Sequence, residues 1–137
     1  MKKITLTLLL VVHSLLSAEK HALLVGINNY QNDIGTLRYC VSDVEAFRST
    51  LIQVLGYKPR NVHLMTDQMS GQDLPNFINI LLRLENLANR IQIGDTFIFY
   101  FSGHGISTQD QSYLLALDSN TTTHRTLKRS AIPIEEV

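Results

Sequence analysis

The run from Ile93 to Gly105, IGDTFIFYFSGHG, constrains what this chain can fold into more than any other stretch. Gly94-Asp95 predicts a turn. Thr96 to Phe101 follows as an uncharged run of β-branched and aromatic residues, the pattern of a strand buried on both faces of a parallel sheet covered by helices. The apolar run then gives way to Ser102-Gly103-His104-Gly105. Glycines on both sides let the backbone turn sharply and approach a ligand closely, and they leave the His104 imidazole on a loop above a strand end. In open α/β sheets ligands bind outside the carboxyl ends of the strands. An isolated GHG tripeptide reads as a turn histidine; placed behind an apolar strand, it reads as a candidate site.

The rest of the chain supplies the elements such a strand needs. His21 to Ile27, HALLVGI, reads as a first buried strand, and Asn28 to Leu37 as a long polar loop. Ser42-Asp43-Val44-Glu45 has the S-x-x-E form of a capping box, which predicts a helix start near Ser42. Val44, Phe47, Leu51 and Val54 follow at helical spacing, and Gly56 is the expected stop. Asn61 to Met65 reads as a short second strand. Gly71 and Pro75 bracket the start of a second helix, which carries Phe77, Ile78, Leu81, Leu82, Leu84 and Leu87. After the central run come a fourth strand at Tyr113 to Leu117, a polar loop from Asn120 to Arg129 and an apolar segment from Ala131 to Ile134. The order β-α-β-α-β-β, with helices of crossover length, predicts an α/β sandwich. A further element opens at Ile132 and the sequence stops at Val137, so a domain truncated at its C-terminus is expected.

Met1 to Ala18 reads as a targeting segment: Lys2 and Lys3 precede an apolar stretch from Ile4 to Val12, and Ser17 and Ala18 are small. The apolar stretch is far shorter than the roughly 20 residues of a spanning helix and fits a signal peptide cleaved after Ser17 or Ala18. A retained N-terminal anchor is the alternative. Cleavage and export to the periplasm or beyond would leave a chain of about 119 residues, enough for one small domain from residue 19 to 137. That chain keeps all twelve acidic residues against ten basic ones, a formal charge of −2. Nothing in this balance predicts a nucleic-acid partner or an anionic membrane. One cysteine, Cys40, excludes an internal disulfide framework and a cysteine-based zinc site in this sequence. Lys128-Arg129 reads either as a basic processing site in a polar loop or as a solvated charge pair. Asn120-Thr121-Thr122 is a glycosylation sequon only in a eukaryotic host.

ALLVGINNY, LRYCVSDVEAF, DTFIFYFSGHG and YLLALD, in that order, resemble the N-terminal part of a caspase-like domain of the peptidase C14 type, in its metacaspase and orthocaspase branch. The resemblance runs from His21 to the C-terminus, and SGHG behind a strand is its most specific piece. It implies a three-layer α/β/α caspase-like fold with a mostly parallel sheet, here truncated at the C-terminus, and a cysteine endopeptidase working through a Cys/His dyad. His104 matches the histidine, which takes the thiol proton and later protonates the leaving amine. The N–H of Gly105 matches the oxyanion-hole donor. Metacaspases cleave after Arg or Lys, and the positions lining their basic-residue pocket are here Cys40, Asp43 and Ser102. A buried carboxylate at Asp43 would suit a guanidinium or ammonium group. Without the resemblance, Asp43 reads as a first-turn acidic residue favoured by the helix macrodipole.

The resemblance also implies a calcium site of carboxylates, matched here by Asp118, Glu135 and Glu136; the two glutamates read equally as the opening of a surface helix. The nucleophilic cysteine of caspase-type enzymes follows the histidine by about 50 residues, beyond Val137. Cys40 falls at the pocket position, and an uncharged cysteine at a helix start reads as a small buried hydrophobe more readily than as a substitute nucleophile. The chain is therefore expected to supply the histidine but not the cysteine and to be inactive alone. Its expected partners are a peptide or protein substrate with a basic residue and a complementary C-terminal segment or second chain. A pseudoprotease that binds peptides through Asp43 and His104, and an unrelated α/β ligand-binding domain, are the alternatives.

Overall fold

A computed structural model describes residues 18–137. The targeting segment expected at Met1 to Ala18 lies almost entirely outside the described residues. Lys20–Gly26 forms β1, Val62–Thr66 forms β2 and Thr96–Ser102 forms β3. They make a parallel sheet in the order β2-β1-β3, with Ala22 opposite Val62 and Ile98. The crossovers are α1, Cys40–Gln53, and α2, Phe77–Ala88.

Alternate residues of β1 explain the layering, because successive strand side chains point to opposite faces. Ala22 and Leu24 pack with Val44, Leu51 and Tyr57 on the α1 side. Leu23 and Val25 pack with Ile80 and Leu87 on the α2 side. All four of these strand residues have no exposed surface. At roughly 1.5–3 kcal/mol for each large aliphatic side chain buried, β1 is the strand on which both cores depend. The three-layer α/β/α arrangement with a parallel sheet is as expected.

The strand buried on both faces is therefore β1, and the expectation for Thr96 to Phe101 needs correcting. Among the described residues β3 pairs with β1 alone, so its outer edge is open. Its residues are half-buried at most, and Tyr100 is exposed while still packing on Phe47 at 4.9 Å. At its start the expected turn is present. Gly94 has φ +97°, and the Asp95 carboxylate accepts N–H bonds from Gln92 and Glu19, which lowers its pKa below the ordinary carboxylate value.

Four other expectations change. Helix α1 starts at Cys40, with Tyr39 as its N-cap and no side-chain cap from that residue. The Ser42 hydroxyl bonds back to the Tyr39 carbonyl instead of capping, and Asn28 Oδ1 accepts the Val41 N–H from the loop at 3.4 Å. A cap supplied from across the fold displaced the local one. Val54, assigned to the apolar face, is instead the exposed C-cap residue.

The fourth strand does not extend the parallel sheet. It runs Ser112–Leu115 (β5) and lies between Gly105–Ser107 (β4) and Ala131–Pro133 (β6) in a separate antiparallel sheet. The loop expected at Asn120 to Arg129 contains a helix, α3, His124–Ser130. Reciprocal Thr123–Thr126 capping bonds start it, and buried Leu127 pins it to the small sheet beside Tyr113, Leu115 and Ala131. Lys128 and Arg129 sit in its last turn, a helical backbone unlike the extended strand a protease takes. No described helix is long and apolar enough to cross a membrane.

Candidate active site

His104 stands between β3, which ends at Ser102, and β4, which begins at Gly105. The last parallel contacts of the sheet are Gly26 opposite Ser102 and the Ile27 N–H donated to the Ser102 carbonyl. Beyond them the backbone leaves the sheet and is fixed by other means. The His104 carbonyl accepts the Leu115 N–H at 2.9 Å. The His104 N–H donates to the Tyr30 hydroxyl at 2.7 Å, and the two rings lie with centroids 5.3 Å apart. Burial pushes the Tyr30 phenol up to about 12, so its hydroxyl stays neutral.

The imidazole itself is fixed by the loop that follows β1. His104 Nε2 lies 2.6 Å from the Gly35 carbonyl oxygen. A carbonyl only accepts, so the contact assigns the hydrogen of neutral imidazole to Nε2 and leaves Nδ1 as the lone-pair nitrogen. The loop is braced in turn. Asp67, just past β2, accepts the backbone N–H groups of Asn28 and Asn29, and Gln31 N–H donates to the Leu117 carbonyl. Asn32 donates to the carbonyls of Asp118 and Ser119.

The two glycines are held in different settings. Neither has the positive φ that would require glycine. At Gly103 a Cβ would lie 2.7 Å from the Tyr30 hydroxyl and 2.8 Å from the Phe101 ring, so the constraint is close packing against Tyr30. Gly105 opens β4 opposite Leu114, and the neighbouring His104–Leu115 pair carries the ladder bond. Hydrogen-bonded and non-hydrogen-bonded pairs alternate in an antiparallel ladder. Gly105 is therefore in a non-bonded pair, with its N–H turned away from β5.

Of the expected pocket residues, Cys40 and Ser102 flank the same point: Ser102 pairs with Gly26, and a Cβ on Gly26 would meet the Cys40 carbonyl oxygen at 2.6 Å. The Cys40 thiol is buried, as a small apolar residue at a helix start would be. Asp43 lies in the first turn of α1 but is exposed, not buried as expected, because it faces away from the sheet that covers Val41 and Val44.

The acidic residues do not assemble. Asp118 accepts the Phe77 N–H at 2.7 Å and so caps α2 together with Asn76. Glu135 is exposed in a single 3-10 turn with Glu136 and accepts a bond from Gln111. Among the described residues no three His, Cys, Asp or Glu side chains are grouped to hold a metal ion, so Asp118, Glu135 and Glu136 do not form a donor set that fits calcium. The sequence assigned no role to Tyr30 and Gly35, which hold the histidine, although Tyr30 closes the ALLVGINNY segment. Gly35 carried no signal beyond a glycine in a polar loop.

The sequence model of the metacaspase peptidase C14 domain matches residues 20–128. Metacaspase-1 of Yarrowia lipolytica is 38% identical over 95 residues, covering 69% of this chain and 20% of that protein. Metacaspase-1 of Schizosaccharomyces pombe is 37% identical over 99 residues, covering 72% and 23%. This chain thus spans about a fifth to a quarter of the length of these relatives. Among solved structures, protein GSU0716 from Geobacter sulfurreducens superposes with a TM-score of 0.63 at 17% identity. That match covers 86% of this chain and 42% of the other, and shows a shared fold.

Proposed function

The chain belongs to the metacaspase peptidase C14 domain family, and from that premise we propose that it is the histidine-bearing part of a cysteine endopeptidase cleaving after Arg or Lys. The observation that carries the reading is the setting of His104. Nε2–H is held by the Gly35 carbonyl, Nδ1 has no hydrogen-bond partner among the described residues, and the Gly105 N–H beside it is turned out of its sheet. In the proposed reaction Nδ1 takes the proton of a cysteine thiol, and the thiolate attacks the scissile carbonyl carbon. The Gly105 N–H stabilises the oxyanion. As the tetrahedral intermediate collapses, His104 returns the proton to the leaving amine and an acyl-enzyme remains for water to hydrolyse. Cys40, Asp43 and Ser102 are the proposed recognition residues for the basic side chain, with Asp43 reaching it from the exposed face of α1.

Cys40 is buried and its backbone adjoins Gly26, so the nucleophile is proposed to come from a segment outside these 137 residues or from a second chain. Joining the chain to such a segment is expected to give hydrolysis of Arg- and Lys-terminated peptide amides, but not of Asp-terminated ones, and His104→Ala to abolish it. Turnover that survives His104→Ala would remove the proposal. The burial of the one cysteine favours a second reading, a chain that binds basic peptides without cleaving them. In that case Asp43→Ala weakens binding and no completed chain turns over. Export directed by Met1 to Ala18, with cleavage after Ser17 or Ala18, is also proposed; a mature protein that retains Met1 would overturn the cleavage, and one found in the cytoplasm would overturn the export.

A further inference from the structure

We propose that Tyr30 is a positioning residue for His104: its hydroxyl holds the backbone of the histidine while its ring backs the imidazole, so the base is held in one tautomer and one orientation. The inference deepens the histidine role proposed above and rests on it. Three contacts determine where the imidazole sits. The carbonyl of His104 is held by β5 through Leu115, its N–H by the Tyr30 hydroxyl, and its Nε2 by the Gly35 carbonyl. Two of the three come from the single loop between β1 and α1, and Tyr30 is the only side chain among them.

The fit around the hydroxyl is specific. It lies 2.7 Å from the position a Cβ at residue 103 would take, too close for ordinary contact, so the absence of a side chain at Gly103 is matched to the phenol oxygen. The ring also joins two cores. It packs against the cluster of Leu23, Val25 and Ile27 and against the cluster of Tyr113 and Leu127. Tyr30 therefore links the parallel sheet, the small antiparallel sheet and the histidine loop. The phenol, buried and held neutral, accepts the His104 N–H across the whole working range of a histidine base.

The test is Tyr30→Phe in this chain, which keeps the ring and removes only the hydroxyl, with Tyr113→Phe as a control. Tyr113 is also buried, but its hydroxyl bonds to Gln111. Two NMR readouts on His104 are used: amide hydrogen exchange, and long-range 1H–15N spectra of the imidazole, which distinguish the two neutral tautomers. Wild-type protein is expected to show a protected His104 amide and the Nε2–H tautomer. Tyr30→Phe is expected to lower His104 amide protection about tenfold, as loss of one net hydrogen bond implies, and to give a mixture of tautomers. Tyr113→Phe should leave both unchanged.

His104 signals that are identical in Tyr30→Phe and wild type would overturn the proposal, as would mixed tautomers in the wild type. An equal change in both variants would also overturn it, because it would show only a general loosening. These readouts need no turnover. Failure of the protease reading would appear as absent cleavage with the His104 spectra intact, whereas failure of the Tyr30 proposal would appear in the spectra alone.

Discussion

At the scale of single residues, the site depends on a missing atom. Gly103 has room for no Cβ, because the Tyr30 hydroxyl and the Phe101 ring occupy its place. Gly103→Ala is expected to destabilise the chain by about 1–3 kcal/mol, the usual cost of overpacking, measured by urea unfolding. In a Tyr30→Phe background the hydroxyl contact is gone and only the Phe101 contact remains, so the cost of Gly103→Ala should fall. Strictly additive effects would show that Tyr30 and Gly103 are not coupled. The SGHG tetrapeptide was legible in the sequence because a run of apolar residues ends at a glycine and a titratable group follows. Its partners were not. Tyr30 and Gly35 lie 74 and 69 positions away from His104, and only folding brings that loop over the strand end. For Gly103 the sequence pointed to a turn and a close approach to a ligand, and did not show that the Tyr30 hydroxyl and the Phe101 ring pack against the position.

At the scale of elements, the long periodic pieces β1, α1, β2, α2 and β3 were readable, since each carries its own apolar repeat. The pieces held by distant contacts were not. Helix α1 takes its cap from Asn28, and α3 is seven residues with one buried side chain, Leu127, too few to show a period. One such cross-element contact has a pH consequence. His63 of β2 has Nδ1 3.4 Å from Arg83 of α2, and its Nε2 is buried with no hydrogen-bond partner among the described residues. Desolvation, then the positive charges of Arg83 and Arg90, hold its pKa below the usual 6.5, against the smaller opposing effect of Asp73. The folded state therefore prefers neutral His63, and the unfolded chain binds the extra proton first. This contribution to stability is fully present above pH 6.5 and is lost as pH falls through the lower folded value. The melting temperature should fall between pH 7 and pH 5, and His63→Gln should flatten that fall. The lowered carboxylates Glu19, Asp95 and Glu135 titrate below this window. An equal slope in wild type and His63→Gln would show that His63 contributes nothing to it.

At the scale of the whole molecule, the described structure has an open side. Among the described residues the outer edge of β3 pairs with no strand, leaving its backbone N–H and C=O groups unsatisfied by the sheet. Beside that edge Phe97 and Ile91 join Leu81, Leu84 and Ala88 of α2 and the terminal Val137 in an open, largely apolar groove. A parallel sheet normally has both faces covered and its central strands paired on both sides, and an exposed apolar edge templates pairing with another chain. The 137-residue chain is therefore expected to self-associate. Sedimentation velocity over a concentration series should show a weight-average mass rising above that of the monomer. Tyr100→Lys places a charge on the exposed part of the edge strand and should shift the equilibrium back toward monomer, at some cost in stability because the Tyr100 ring packs on Phe47. Covalent addition of a segment that pairs with β3 should have the same effect without that cost, since it satisfies the edge from within. A chain that stays monomeric at every concentration, with its β3 amides protected from exchange, would mean the edge is already covered. The open side would then not be available for the further segment proposed above.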